Sequence, residues 1–234
     1  MKHKNLMLFA VTLFYLGLTG LQAQTMKDID GNVYKTVTIG TQVWMAENLK
    51  TTKYRNGEPI LNVPDSLNWV KLTLTKDCYC SYRNDPNNAS KFGLLYNFKA
   101  MTDKRNVCPA GWHIPNLDEI KILCNFLGGQ KVAGKKVGEF PGGQEAGEKL
   151  KSTSGWLGLD RETNKPGNGT NATGFNGEPF GFISYKAGFF GLGYSSNWWI
   201  SSGDSFMASF ISKELIHNGF ETQAGYYIRC IKDK

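Results

Sequence analysis

Hydrophobic and polar residues alternate over residues 30–49. Val33, Val37 and Ile39 recur at even spacing, Gly40-Thr41 interrupts them, and Val43-Trp44-Met45 resumes the run, which predicts an antiparallel hairpin entered through the Asp30-Gly31 turn. Periodicity disappears over 55–87, where Pro59, Pro64 and Pro86 fall among polar residues, and the segment reads as irregular surface. Leu94, Leu95, Phe98 and Met101 give residues 88–101 the apolar face of a short helix. A stronger helix is predicted over 117–127, where Leu117, Ile120, Leu123, Cys124 and Leu127 share one face. Asn116 can cap it, Glu119 at the third helical position completes a capping box, and Gly128-Gly129 stop it.

Pro141-Gly142-Gly143 leads to a short amphipathic stretch over 145–151. Residues 155–195 are rich in glycine and aromatics and lack a period, which predicts a long loop folded around its own rings. Short strands over 197–202, 206–212 and 226–231 finish the chain, the last expected to close against the N-terminal hairpin. The sum is an α+β fold: a small twisted antiparallel sheet, two or three helices and long Gly- and aromatic-rich loops, in a single domain over residues 24–234.

The first 23 residues read differently. Lys2 and Lys4 precede an apolar run from Leu6 to Leu18, and Leu21-Gln22-Ala23 offers a cleavage site, so residues 1–23 are expected to be a signal peptide cut near Ala23. The apolar run is shorter than the roughly 18–20 residues a bilayer span requires, and no transmembrane segment is expected in the remainder. No cysteine follows it to carry a lipid anchor. The expectation is export to the periplasm, the cell surface or the medium. Without those residues, which hold two lysines and no acid, the formal charge falls from +7 to +5. The excess is dispersed among Lys131, Lys135, Lys136, Lys149 and Lys151, interleaved with Gly and Glu, so nucleic acid is not an expected partner. Export permits disulfides, but five cysteines (Cys78, Cys80, Cys108, Cys124 and Cys230) leave at least one unpaired within the chain. Cys78-x-Cys80 is too tight for zinc, and Cys124 falls on the apolar helix face where a buried thiol is expected.

Several blocks resemble one family. Val107-Cys108-Pro109-Ala110-Gly111-Trp112-His113-Ile114-Pro115 resembles the CP-x-GWH-x-P signature of the Fibrobacter succinogenes major paralogous domain, a secreted bacterial domain found mainly in Bacteroidota-type organisms. The opening Asp30-Gly31-Asn32-Val33-Tyr34 and Gln42-Val43-Trp44-Met45-Ala46-Glu47-Asn48-Leu49 are similar to the same family. So are Gly93–Phe98, Lys149–Ser152, Thr170–Phe175, Trp198–Ser202 and Ile228–Asp233, and the blocks span 30–233. The resemblance implies a C-type-lectin-like fold related to the formylglycine-generating enzymes. It also places Cys108 and Cys230 in family blocks, which favours their pairing.

Chemistry is harder to find. His113 lacks a fixed carboxylate or nucleophile in the sequence, so packing and a backbone hydrogen bond explain it first, and His217 reads as an exposed turn residue. The related oxidases hold copper through a C-terminal cysteine pair, whereas Cys230 is the only cysteine after Cys124. No catalytic motif is present and no catalytic residue is assigned. Glu178-Pro179-Phe180 and Asn197-Trp198-Trp199 are similar to the calcium loops of C-type lectins but each lacks an oxygen ligand, which disfavours calcium and leaves no cofactor or metal expected. Calcium-free binding remains open through aromatics crowded into 155–195 and the strand after it. Trp156 and Trp198, with the polar Asn171, Asn176 and Glu178, are the candidate ligand-binding set. The expected function is a non-catalytic binding or cell-surface interaction module for a glycan or an extracellular or envelope protein. A structural or adhesive subunit and an enzyme of unknown reaction are the alternatives.

Overall fold

A computed structural model describes residues 24–128, 145–159, 164–219 and 221–234. The expected signal peptide and the turn at 141–143 lie outside them.

The N-terminal hairpin forms as its pattern predicts. Strands β1 (Thr25–Lys27), β2 (Val33–Ile39) and β3 (Gln42–Met45) run antiparallel, with Thr38 opposite Val43 and Ile39 opposite Gln42 around Gly40. Its inward residues include Tyr34, whereas Val33 is exposed. The C-terminal strand β14 (Ile231–Lys232) lies between β3 and β7 (Trp112–His113), so Ile231 faces both Trp44 and His113 and closes a five-stranded sheet.

A second sheet holds the remaining strands. These are β4 (Leu61–Asn62), β5 (Cys78–Cys80), β6 (Leu95–Asn97), β8 (Phe180–Ser184), β9 (Gly188–Leu192), β10 (Ser195–Trp199), β11 (Ser205–Ser209), β12 (Leu215–Asn218) and β13 (Gly225–Tyr226). Their order is β12-β11-β10-β8-β13-β6-β5-β4, with β9 folded back on β8. Pairing is antiparallel except β4 with β5 and β8 with β10. Among the described residues five short α-helices fill the corners: α1 (Ser66–Leu72), α2 (Pro86–Phe92), α3 (Phe98–Thr102), α4 (Leu117–Phe126) and α5 (Ala146–Leu150). The molecule is thus mixed α+β, with far more strand and more helices than the pattern suggested.

Three differences have local causes. Residues 55–87 are not irregular throughout, because Asp65 accepts hydrogen bonds from the Leu67 and Asn68 amides and starts α1. Trp69 then anchors that helix, fully buried, its indole donating to the Gln223 carbonyl. The single helix expected over 88–101 is broken at Gly93, whose φ of +85° and close approach to Asn48 (2.6 Å from an added Cβ) admit no side chain. The loop expected over 155–195 contains the β8–β9 hairpin, whose glycines at 181, 188 and 191 hide its alternation of Phe182, Phe190 and Leu192. The best helix prediction holds: α4 carries both halves of the Asn116–Glu119 capping box.

Strand β10 divides the core. Successive residues of a strand point to opposite faces, so Trp198 enters one apolar cluster with Trp44, Phe175 and Phe206, while Trp199 enters another with Tyr96, Tyr226 and Met45. In the second cluster Cys108 and Cys230 form a disulfide, their Cα atoms 6.0 Å apart across 122 residues of sequence. Cys78, Cys80 and Cys124 are free and buried. Burial pushes the Cys78 and Cys124 thiols up to about 12. Replacing Cys108 and Cys230 together by alanine is expected to lower unfolding free energy by about 3–5 kcal/mol on the loop-entropy scale. Urea denaturation measures it, and an unchanged midpoint would refute a stabilising bridge.

Candidate functional site

The guanidinium of Arg229 sits at the centre of the molecule, 2% exposed. Its Nε donates to Asn48 Oδ1 at 2.8 Å, one Nη to the Phe175 carbonyl and the other to the Asn176 carbonyl at 3.2 Å. The Phe175 ring lies 4.0 Å from its central carbon and Trp198 lies 5.4 Å away. Asn48 Oδ1 also accepts from the Trp198 indole at 2.8 Å, while its amide nitrogen donates to the Phe92 carbonyl at 2.7 Å. Burial pushes the Arg229 pKa down to about 9, with Glu178 and Glu47 opposing, so the group stays charged at neutral pH.

This arrangement accounts for the residues expected to bind a ligand. Asn171 Oδ1 accepts from the Asn176 amide at 2.8 Å, and Asn176 Nδ2 donates to Glu178 Oε1 at 3.0 Å. The structure therefore brings Asn171, Asn176 and Glu178 together, as a loop clasp that presents the Asn176 carbonyl to Arg229. Both asparagines adopt left-handed backbone (φ 47° and 53°), a conformation asparagine tolerates better than most residues. Asn176 and Glu178 border a cavity of about 40 Å³ with Glu47, Lys50 and Lys91, room for little more than a water. The two tryptophans do not take the expected stacking role. Trp156 is 3% exposed and donates to Ser152 Oγ at 3.1 Å, and Trp198 is 1% exposed beneath the arginine. A ring must show a face to stack on a ligand, and neither does.

An open aromatic cleft lies instead on the outer side of the β8–β9 hairpin. Tyr185 (45% exposed) and Phe190 (48% exposed) flank a hollow of about 530 Å³, a size ordinary for small-ligand sites. Phe182 continues the platform, 6.2 Å from Phe190 and 6.0 Å from Tyr226. Asn197 of β10, paired with Met207 of β11, lines the same hollow. Its Oδ1 is buried without a hydrogen-bond partner among the described residues. Glu221 accepts from the Tyr226 hydroxyl at 3.1 Å, and Lys186 and Asn218 complete the polar lining. Burial, followed by the Glu221 charge, raises the Tyr226 pKa and keeps that phenol protonated. Sequence reasoning included Tyr185 and Phe190 among the crowded aromatics but missed Phe182, Asn197 and Glu221 as lining. The i, i+2 spacing of Phe182 and Ser184, which puts both on one face of a strand, was the available signal.

The Fibrobacter succinogenes major domain matches residues 37–232. The chain belongs to that family. No curated protein and no solved structure matches it significantly.

The family blocks of this Fibrobacter succinogenes major domain meet around Arg229: Asn48 from the first, Gly93 pressed on Asn48, Phe175 and Trp198 from later ones, and Arg229 from the last. The Lys149–Ser152 block is also internal. Lys151, 2% exposed, donates to the Ser209 and Ser212 carbonyls and lies over Trp156. His113, from the signature that carried the resemblance, is not held by backbone alone, as expected, but by carboxylates. Its Nδ1 lies 2.6 Å from Asp233 Oδ1 and its Nε2 lies 3.0 Å from Glu119 Oε1. A cleft of about 360 Å³ adjoins it, yet both ring nitrogens are engaged and neither is open to take a substrate's proton. His217 is half-buried in β12 beside Asp204 at 3.2 Å, rather than exposed in a turn. Among the described residues no group of three or more His, Cys, Asp or Glu side chains gathers as metal ligands would, and no helix is long and apolar enough to cross a membrane.

Burial alone would lower the His113 pKa, but the bonds to Asp233 and Glu119 raise it above its ordinary value. The resulting stabilisation is fully present below the unfolded pKa of about 6.5 and is lost as pH rises through the higher folded value. NMR titration of the His113 ring is expected to give a pKa above that of Gly-His-Gly, and Asp233→Asn to lower it. An unshifted pKa would break the clamp. Arg229→Lys keeps charge but not the three-way fork, and is expected to cost about 3 kcal/mol or more in chemical denaturation.

Proposed function

We propose that this chain is an exported, non-catalytic binding module with a C-type-lectin-like arrangement, and that it takes a glycan in the Tyr185–Phe190 cleft. The carrying observation is that cleft: two aromatic side chains, each close to half exposed, beside amides and a carboxylate. Sugar rings pair apolar C–H faces with hydroxyl edges, so an aromatic platform flanked by Asn197, Asn218 and Glu221 matches both. Glu221 and Lys186 supply acceptor and donor without a strong net charge, which suits a neutral sugar better than a phosphate or a nucleic acid. Export is supported by the Cys108–Cys230 disulfide, since such bridges persist in oxidising compartments.

A second reading, an extracellular or envelope protein as partner, is favoured by one observation. Leu157 (70% exposed) lies against Gly193, next to Leu192 and Tyr194, both also exposed. Such apolar neighbours are more common at protein interfaces than on bare surface. An array of glycans probed with residues 24–234, with calcium and with a chelator, separates the readings. Tyr185→Ala and Phe190→Ala are each expected to weaken glycan binding about tenfold without altering the melting temperature. Trp156→Ala and Trp198→Ala are expected to destabilise the fold instead. Absence of binding across the array would reject the glycan reading.

A further inference from the structure

A second hollow of about 520 Å³ lies at the other end of the nine-stranded sheet, between β4, β5, α2 and the segment after β3. Tyr79 of β5 and the buried Leu94 line it, with Thr52, Asn62, Ser81 and Asn84 among its polar groups. These side chains are pre-set by their neighbours. The Thr52 amide and hydroxyl both donate to Asp30 Oδ2, at 2.6 and 2.9 Å, and Tyr79 leans on Tyr96, whose hydroxyl donates to the Thr51 carbonyl at 2.7 Å. Two consecutive residues at the margin, Arg83 and Asn84, adopt left-handed backbone (φ 53° and 58°), a conformation that persists where surrounding structure imposes it and that clusters at binding sites. The Asn84 side-chain oxygen is buried there with no donor among the described residues. Buried polar atoms are nearly always paired, so this oxygen is a further sign that the Arg83–Asn84 corner is imposed by its surroundings.

We propose that this hollow is a second ligand site, taking an uncharged polyhydroxylated ligand of mono- or disaccharide size. Its volume is right for that class. Among the described residues Lys50 is the one formally charged group in its lining, and that ammonium is already held by Glu47 at 3.2 Å. Among them no guanidinium lines it, so phosphates and sulfates lack the fork they usually meet. Hydroxyls and amides around a phenol ring, at Thr52, Asn62, Ser81, Ser90 and Tyr79, suit a sugar. The site is separate from the Tyr185–Phe190 cleft and stands whether or not that cleft binds.

The test is a titration of ¹⁵N-labelled protein (residues 24–234) with maltose and, separately, with di-N-acetylchitobiose. Saturable shifts at Thr52, Tyr79, Ser81 and Ser90 with either sugar are expected. Ser90→Trp, an exposed α2 position on the rim, is expected to weaken them about tenfold or more by filling the hollow. The fold of that variant is checked by its dispersed spectrum, and Ser90→Ala should bind as the parent does. Phe190→Ala should leave these shifts in place. Shifts confined to the Tyr185–Phe190 cleft, shifts that survive Ser90→Trp, or no saturable shift with either sugar would each overturn the proposal.

Discussion

A guanidinium removed from water must find hydrogen-bond acceptors, and this fold is arranged around meeting that demand. Among the described residues no carboxylate lies within direct bonding distance of Arg229; it uses one side-chain amide and two main-chain carbonyls, with an aromatic ring across its face. Carbonyls can be offered only where the backbone is turned inward, which constrains Phe175 and Asn176 and so the left-handed turn that holds them. Asn48 must spend its oxygen on Arg229 and Trp198 together, which fixes the approach of β10. Gly93 must have no side chain because Asn48 stands against it. One buried charge therefore dictates residues in four other segments.

That dependence explains why a sequence so readily assigned to a family says little about what the domain binds. Several residues that make the resemblance, among them Asn48, Phe175, Trp198 and Lys151, satisfy or pack on buried charges inside the molecule. Residues free to meet a ligand, such as Tyr185, Phe190 and Glu221, lie between those blocks or on the outward face of the same strands. Asn197 and Trp198 illustrate the divide: adjacent in sequence, one borders the open cleft and the other is sealed beneath the arginine.

Much of the fold was legible where local chemistry decides it. The Asn116–Glu119 capping box, the Gly40 hairpin and the closure of β14 on β3 followed from spacing and turn residues. Elements stabilised by distant contacts were not. Helix α1 is only seven residues long and owes its place to Trp69 reaching Gln223, while the β8–β9 hairpin is masked by glycines required by close packing. Of the candidate set, Asn171, Asn176 and Glu178 were named as polar companions of an aromatic surface; the structure places them in one loop whose Asn176 carbonyl meets a buried arginine more than 50 residues downstream, a contact no local pattern encodes. Exposure decided the tryptophans, and it is a tertiary quantity.

The position of β14 has a mechanical consequence. It is two residues long and ends two positions before residue 234, yet it occupies the interior of a sheet between β3 and β7. Such a strand, alone, would peel away under tension one hydrogen bond at a time. The Cys108–Cys230 bond joins the chain just ahead of it to the segment preceding β7, so a load applied at the C-terminus passes covalently to residue 108 before the residues upstream of Cys230 bear it. Arg229, the residue just before Cys230, is thereby kept in register with its acceptors even when the tail beyond the bridge is displaced.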